Sequence, residues 1–173
     1  MRVGILSDTR GFLDPRIIDI VHDCDLAVHA GDIGNARVLQ VLRVRGKRVM
    51  AVRGNNDTKQ KWPREDRSAL DALPDDLSVD LPGGCLVAVH GHNAGRPARR
   101  HTILRNLYPD ARAIVYGHSH RLICDRSKRP WVLNPGAAGK NRTFGGPSCL
   151  VLRALHSNWR VEVFRCPAAD RRR

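Results

Sequence analysis

The sequence predicts an α/β domain with mixed sheets. Three observations carry that prediction. In the first third of the chain, short apolar runs alternate with stretches of helical spacing, the pattern of parallel βαβ units. From Leu77 onward the runs are joined by tight turns instead, which adds antiparallel strands. Apolar runs also end repeatedly in a polar, glycine-containing loop with Asp, Asn or His. Strand ends of this kind are where open α/β sheets hold ligands.

Arg2 to Ser7 is a nearly continuous apolar run, as a buried strand should be, and ends in Asp8-Thr9-Arg10-Gly11. Pro15 can open a helix reaching about Asp23, with Ile17, Ile18, Ile20 and Val21 on its apolar face. Asp25 to His29 is a second strand, ending in Ala30-Gly31-Asp32. A second helix carries Val38, Leu39, Val41 and Leu42, and a third strand at Arg48–Val52 ends in Arg53-Gly54-Asn55-Asn56-Asp57. The polar stretch 58–76 is expected to be a flexible loop with a helical turn, placed to act as a lid or to lie solvated.

Leu77–Leu81, the turn Pro82-Gly83-Gly84 and Cys85–Val89 read as a hairpin whose return strand ends in His90-Gly91-His92. A helix is expected from Pro97 to Asn106, then a strand Ala111–Val115 running into Gly117-His118-Ser119-His120. Strands at Leu122–Cys124 and Trp131–Leu133 follow, the latter leading into Asn134-Pro135-Gly136. Two last strands, near Ser148–Arg153 and Trp159–Phe164, are expected to close the second sheet. The whole reads as one domain over residues 1–166 with a frayed basic tail at 167–173.

The chain has 173 residues, 42% hydrophobic and 27% charged, ordinary values for a globular domain with a full core. No apolar run approaches the roughly 20 residues that span a bilayer. The N-terminus lacks a cleavage pattern, so a cytoplasmic location is expected. Cys24, Cys85, Cys124, Cys149 and Cys166 are odd in number and form no CxxC pair, which argues for reduced thiols and against a disulfide framework or zinc ribbon. Net charge is +13, yet of 30 basic residues only Lys47, Lys59, Lys61, Lys128 and Lys140 are lysines. An arginine bias of that kind can cover a whole surface. The basic clusters have few interleaved aromatics for stacking bases, so a nucleic-acid partner is not favoured.

The polar strand ends collect Asp8, Asp32, Asn55, His90, His118 and His120. Carboxylates, an amide oxygen and imidazoles suit borderline divalent ions such as Mn²⁺, Fe²⁺, Co²⁺, Ni²⁺ or Zn²⁺ better than Mg²⁺ or Ca²⁺, and of these Mn²⁺ is the expected ion. They are too many for one tetrahedral ion, and a carboxylate bridging two ions would use them all.

Asp8-x-x-Gly11, Gly31-Asp32, Gly54-Asn55-x-Asp57, His90-Gly91-His92 and Gly117-His118-x-His120, in that order, resemble the calcineurin-like metallophosphoesterases. Asn134-Pro135-Gly136 resembles their small single-domain bacterial and archaeal phosphodiesterase branch, which shares its fold with a retromer scaffold subunit. The resemblance implies a four-layer αββα sandwich. It implies a hydrolase acting on a small phosphodiester or phosphomonoester through a metal-activated hydroxide, with one or two divalent ions. Metal 1 would take Asp8, Asp32 and His120, and metal 2 would take Asp32, Asn55, His90 and His118. The same resemblance makes Asp57 an orienting residue and gives His92 a phosphate contact or the leaving-group proton, with a packing role as its alternative. His29 would support the ligands from behind, while His22, His101 and His156 fall outside the motifs.

Two departures stand out. The family pattern has Asp-x-His at the first strand end, where this chain has Asp8-Thr9-Arg10. Arginine offers no lone pair to a metal. Arg10 is therefore expected either to fold onto Asp8 and weaken metal 1 or to grip a substrate phosphate, the former favoured. Asn56 stands where His or Cys is usual, beside the substrate, and an amide cannot act as an acid. A degenerate scaffold of the same fold and a nuclease remain the alternatives. The assembly state has no signature in the sequence.

Overall fold

The structure is a computed structural model and describes residues 1–168. The chain runs β1 (Arg2–Leu6), α1 (Pro15–His22), β2 (Leu26–His29), α2 (Ala36–Val41) and β3 (Val49–Ala51). It continues through α3 (Arg67–Asp71), β4 (Asp76–Leu81), β5 (Gly84–Val89), α4 (Pro97–Leu107) and β6 (Ala113–Tyr116). The last strands are β7 (Leu122–Asp125), β8 (Trp131–Pro135), β9 (Ser148–Ala154) and β10 (Trp159–Arg165).

Two five-stranded sheets result, ordered β10-β9-β1-β2-β3 and β4-β5-β6-β8-β7. In the first, β1, β2 and β3 are parallel and β9 runs antiparallel to β1. In the second, β5, β6 and β8 are parallel, with β4 and β7 antiparallel at the two edges.

Strand alternation sorts the side chains into three apolar layers, and so into the four layers of an αββα sandwich. Val3, Ile5, Leu26, Val28, Leu150 and Leu152 face Leu86, Ala88, Ala113, Val115 and Leu133 between the sheets. Leu6, Ala27, Cys149 and Val151 turn outward against Ile17 and Val21 of α1 and Val38 beyond β2. Val87, Val89, Ile114 and Tyr116 pack against Leu104 of α4 on the other face. Among the described residues no helix is long and apolar enough to cross a membrane, and all five cysteines are free.

Several expectations need correction. The two last strands extend the first sheet rather than closing the second, because β9 pairs with β1 from Arg2↔Arg153 to Ile5↔Leu150. The strand before His118 begins at Ala113 and includes Tyr116, since Ala111 is held in a turn by its N–H bond to the Tyr108 carbonyl at 3.2 Å. The 58–76 stretch is built rather than loose. It holds a turn of 3-10 helix at Arg64–Asp66 and then α3, and Trp62, Leu70 and Leu73 are buried in the outer core. Trp62 also donates through Nε1 to Asp57 Oδ1 at 2.9 Å. Of the expected tail, Pro167 is tied down by Arg16, which donates to its carbonyl at 3.0 Å; residues 169–173 lie outside the described residues.

Candidate metal centre

The parallel strands β1, β2, β3, β5 and β6 each release the chain into a loop at the same edge of the sandwich, and these loops carry the predicted ligands. Asp8 (φ 56°), Asp32 (φ 56°), His118 (φ 62°) and His120 (φ 57°) all have left-handed backbone. That conformation is uncommon outside glycine, and its recurrence at four residues on three converging loops marks a functional site. Gly31, with φ 88°, makes room for the centre: a Cβ there would lie 2.7 Å from His90 Nδ1. A Cβ on Gly117 would lie 2.9 Å from Asp8 Oδ2.

The loops are fastened from behind. Asp57 accepts from the N–H groups of Ile33 (3.1 Å), Gly34 (2.9 Å) and Gly54 (2.8 Å) and from Trp62. Four donors occupy both of its oxygens, so Asp57 clamps the Asp32 and Asn55 loops together rather than moving protons. Asn134 does the same for the His118 loop, donating to the Gly117 carbonyl at 2.7 Å and to Ser119 Oγ at 3.0 Å. His29 is wholly buried and lies 3.0 Å from Thr9 Oγ1, and burial pushes it down to about 4. His101, outside the motifs, sits between Asp125 (2.9 Å) and the Tyr116 hydroxyl (3.1 Å).

One half of the centre is formed by Asn55, His90, His118 and one oxygen of Asp32. His90 donates through Nδ1 to the Ala30 carbonyl at 2.8 Å. Burial lowers its pKa, so the ring is neutral and Nε2 carries a bare lone pair. That lone pair faces Asn55 Oδ1 at 3.1 Å and Asp32 Oδ1 at 3.4 Å. His118 Nδ1 lies 3.1 Å from the same Asn55 oxygen, and burial, then the neighbouring His90, pushes His118 down to about 4. The bare His90 lone pair facing two oxygens is repulsive unless a cation lies among them, and His118 stands within reach of the same point, so these residues fit a divalent transition ion.

The other half is built from Asp8 and His120. Asp8 is buried; its Oδ2 accepts from Ser7 Oγ at 2.8 Å, while Oδ1 has no hydrogen-bond partner among the described residues and lies 3.3 Å from His120 Nε2. Burial pushes the Asp8 carboxyl up to about 7. The nearest ligand atoms of Asp8, Asp32 and His90 fall within 4.8 Å of one another, so an ion has donors here too. Two arginines are already present, however. Arg142 donates to His120 Nε2 at 2.8 Å, and Arg10 donates to Asp32 Oδ2 at 3.0 Å. Burial, then these two guanidinium groups, pushes His120 down to about 4.

Arg10 thus pairs with Asp32 and not, as expected, with Asp8. Its own φ of 50° and its neighbour Gly11 turn the side chain across to the second loop. Asn56 was expected to meet substrate. Instead it donates through its amide to Asp32 Oδ2 (2.7 Å) and through its backbone N–H to Asp32 Oδ1 (2.8 Å), and its own oxygen accepts from Lys61. Burial alone would raise Asp32, but His90, Asn56 and Arg10 hold it below the usual carboxylate range. His92 is exposed at the mouth, its ring 5.6 Å from His90 and 6.3 Å from His118. Sequence reasoning missed Arg142, which lies in a glycine-flanked loop between β8 and β9 and not at a strand end. The only signal for it was the glycine-rich run from Gly136 to Gly146.

A model of the calcineurin-like phosphoesterase superfamily domain matches residues 1–156. Over 144 residues the chain is 28% identical to a phosphodiesterase of Methanocaldococcus jannaschii, covering 79% of this chain and 83% of that one. The zinc complex of Vps29 from Entamoeba histolytica superposes with a TM-score of 0.74 at 16% identity, over 98% of this chain and 100% of that one. An archaeal phosphodiesterase gives a TM-score of 0.70 at 22% identity, over 95% and 100%. At those identities the two structures speak for a shared fold.

Proposed function

The chain belongs to the calcineurin-like phosphoesterase superfamily, and on that premise we propose that it is a metal-dependent phosphodiesterase centred on Asp32, Asn55, His90 and His118. The observation that carries this reading is the bare His90 Nε2 lone pair facing Asn55 Oδ1 and Asp32 Oδ1, with His118 beside the same Asn55 oxygen. These four residues would hold the ion, with Asp8 and His120 contributing to a weaker first site. Bound there, a divalent cation supplies Lewis acidity, making water acidic enough to attack phosphorus at neutral pH and offsetting charge on the phosphoryl oxygens. Mn²⁺ suits the mixed O/N donors, and the M. jannaschii relative's name supports a phosphodiester as substrate.

The protein's own groups supply the rest. Asp32 holds the two halves in register. Arg10 stands beside Asp32 and Arg142 beside His120, both placed to hold phosphate oxygens by charge-assisted hydrogen bonds. His92, exposed at the mouth, is placed to give its proton to the leaving oxygen. Asp57 and Asn134 keep the loops from shifting.

Hydrolysis of a nitrophenyl phosphodiester tests the reading. Turnover should require Mn²⁺, stop with chelator and fall about 100-fold or more in Asp32→Asn, since loss of outer-sphere groups alone typically costs 10–100-fold. Turnover that survives chelator would place the chemistry elsewhere. The pairing of both Arg10 and Arg142 with metal-1 ligands favours a second reading, a scaffold of this fold acting through protein contacts, which the likeness to Vps29 supports. That reading predicts no turnover with any ion.

A further inference from the structure

A cleft of about 630 Å³ adjoins the candidate metal centre, and Arg142 belongs to both, lining the cleft while it donates to His120. Its other lining residues include Phe12, Arg16, Lys140 and Phe144. Three of these five side chains are cationic. Among the described residues the cleft's one acid, Asp14, is already matched by Arg16 in a two-pronged contact at 2.9 Å from both Nε and NH2. The space therefore combines net positive charge with two aromatic rings.

The rings are held in an unusual way. Phe144 is 52% exposed and has φ 38°, a strained conformation for a bulky residue. A phenylalanine left half in water gains little from burial to offset that strain. Arg121 stacks on it, with its guanidinium carbon 4.9 Å from the ring centroid, and does not itself line the cleft. It braces the ring and leaves the space beside it open. Across the cleft Lys140 Nζ caps the Phe12 ring at 3.9 Å.

We propose that this cleft is the subsite for the base of a nucleotide-class phosphodiester, whose phosphate lies at Arg142 toward the metal centre. An exposed aromatic ring offers a stacking face to any base, and a neighbouring arginine holds the phosphate. Arg142 has five N–H donors and, among the described residues, commits one of them to His120, leaving others to meet phosphate oxygens. The direction of the phosphate rests on the phosphodiesterase reading above; the base contact does not.

The test is binding to the metal-free protein by calorimetry, with adenosine monophosphate and ribose phosphate as probes. The adenine compound should bind about 10-fold more tightly, within the range base–aromatic stacking contributes. Phe144→Ala should remove that advantage and leave ribose phosphate unchanged, while Phe144→Trp should retain it. Arg142→Ala should weaken both probes alike. Equal binding of the two probes, no binding of either, or an adenine advantage that persists in Phe144→Ala would overturn the proposal. So would a single-stranded oligonucleotide that binds more tightly than the mononucleotide independently of Phe144. None of these readings needs turnover, so an inactive enzyme would sink the hydrolase reading and leave this one standing.

Discussion

The two halves of the centre share Asp32 and differ in what stands beside it. Around Asn55 the donors are neutral imidazoles and an amide oxygen, and they face one another at 3.1 to 3.4 Å. Around Asp8 there are fewer donors, Asp8 and His120 beside the shared Asp32, and guanidinium groups already contact His120 and Asp32. A site is therefore not defined by its ligand types alone. On the proposed reading the first half would take a cation between the His90 lone pair and its oxygen neighbours. The second has fixed charge from Arg10 and Arg142, which a metal would have to displace before binding.

The sharpest way to break this comparison is to truncate one imidazole in each half. His90→Ala should weaken binding of the first Mn²⁺ equivalent by about 100-fold, as expected for loss of a direct ligand. His120→Ala should change that same equivalent by less than about 3-fold. Equal losses, read by Mn²⁺ titration, would mean that the halves are equivalent.

A smaller effect is expected at Arg142. Arg142→Ala frees the His120 lone pair and should tighten a second Mn²⁺ equivalent by about 10-fold, on the scale of neighbouring-group effects on metal affinity. An unchanged second equivalent would show that Arg142 does not compete with metal.

The smallest effect is on stability, and it involves both halves. His29, His118 and His120 titrate at about 4 when folded and near about 6.5 when unfolded. Between those values the unfolded chain binds more protons, so these groups stabilise the fold above pH 6.5 and lose that contribution as pH falls toward 4. Asp8, pushed up to about 7, acts in the opposite sense between about 4 and 7. Three imidazoles outweigh one carboxyl. The metal-free protein should melt a few degrees lower at about pH 4.5 than at about pH 6.5, where roughly 1 kcal/mol corresponds to about 2–4 °C. A higher midpoint in acid would contradict these protonation states.

Most of the architecture was legible because buried parallel strands announce themselves as apolar runs and their loops by glycine with Asp, Asn or His. Asp8, Asp32, Asn55, His90, His118 and His120 could be gathered to one edge by that rule. The sheet joined by β9 was not legible, since an apolar strand buried on both faces fits either sheet and only its pairing with β1 decides. Nor was the target of Arg10, because a long side chain can reach several carboxylates, and only the folded backbone, with the Arg10 N–H on the Asp32 carbonyl at 2.9 Å, sets it beside Asp32. Arg142 was hidden for a related reason: it reaches His120 across 22 residues from a loop with no strand-end signature.

The central claim, one ready site beside one where guanidinium competes with metal, is tested most directly by counting ions. Wild type and Arg10→His would be equilibrated with Mn²⁺, freed of loosely held metal, and assayed for metal per chain. The account predicts close to one tightly held ion in wild type and close to two in Arg10→His, where an imidazole replaces the cation beside Asp32. Two tightly held ions in wild type, with no gain in the variant, would contradict it.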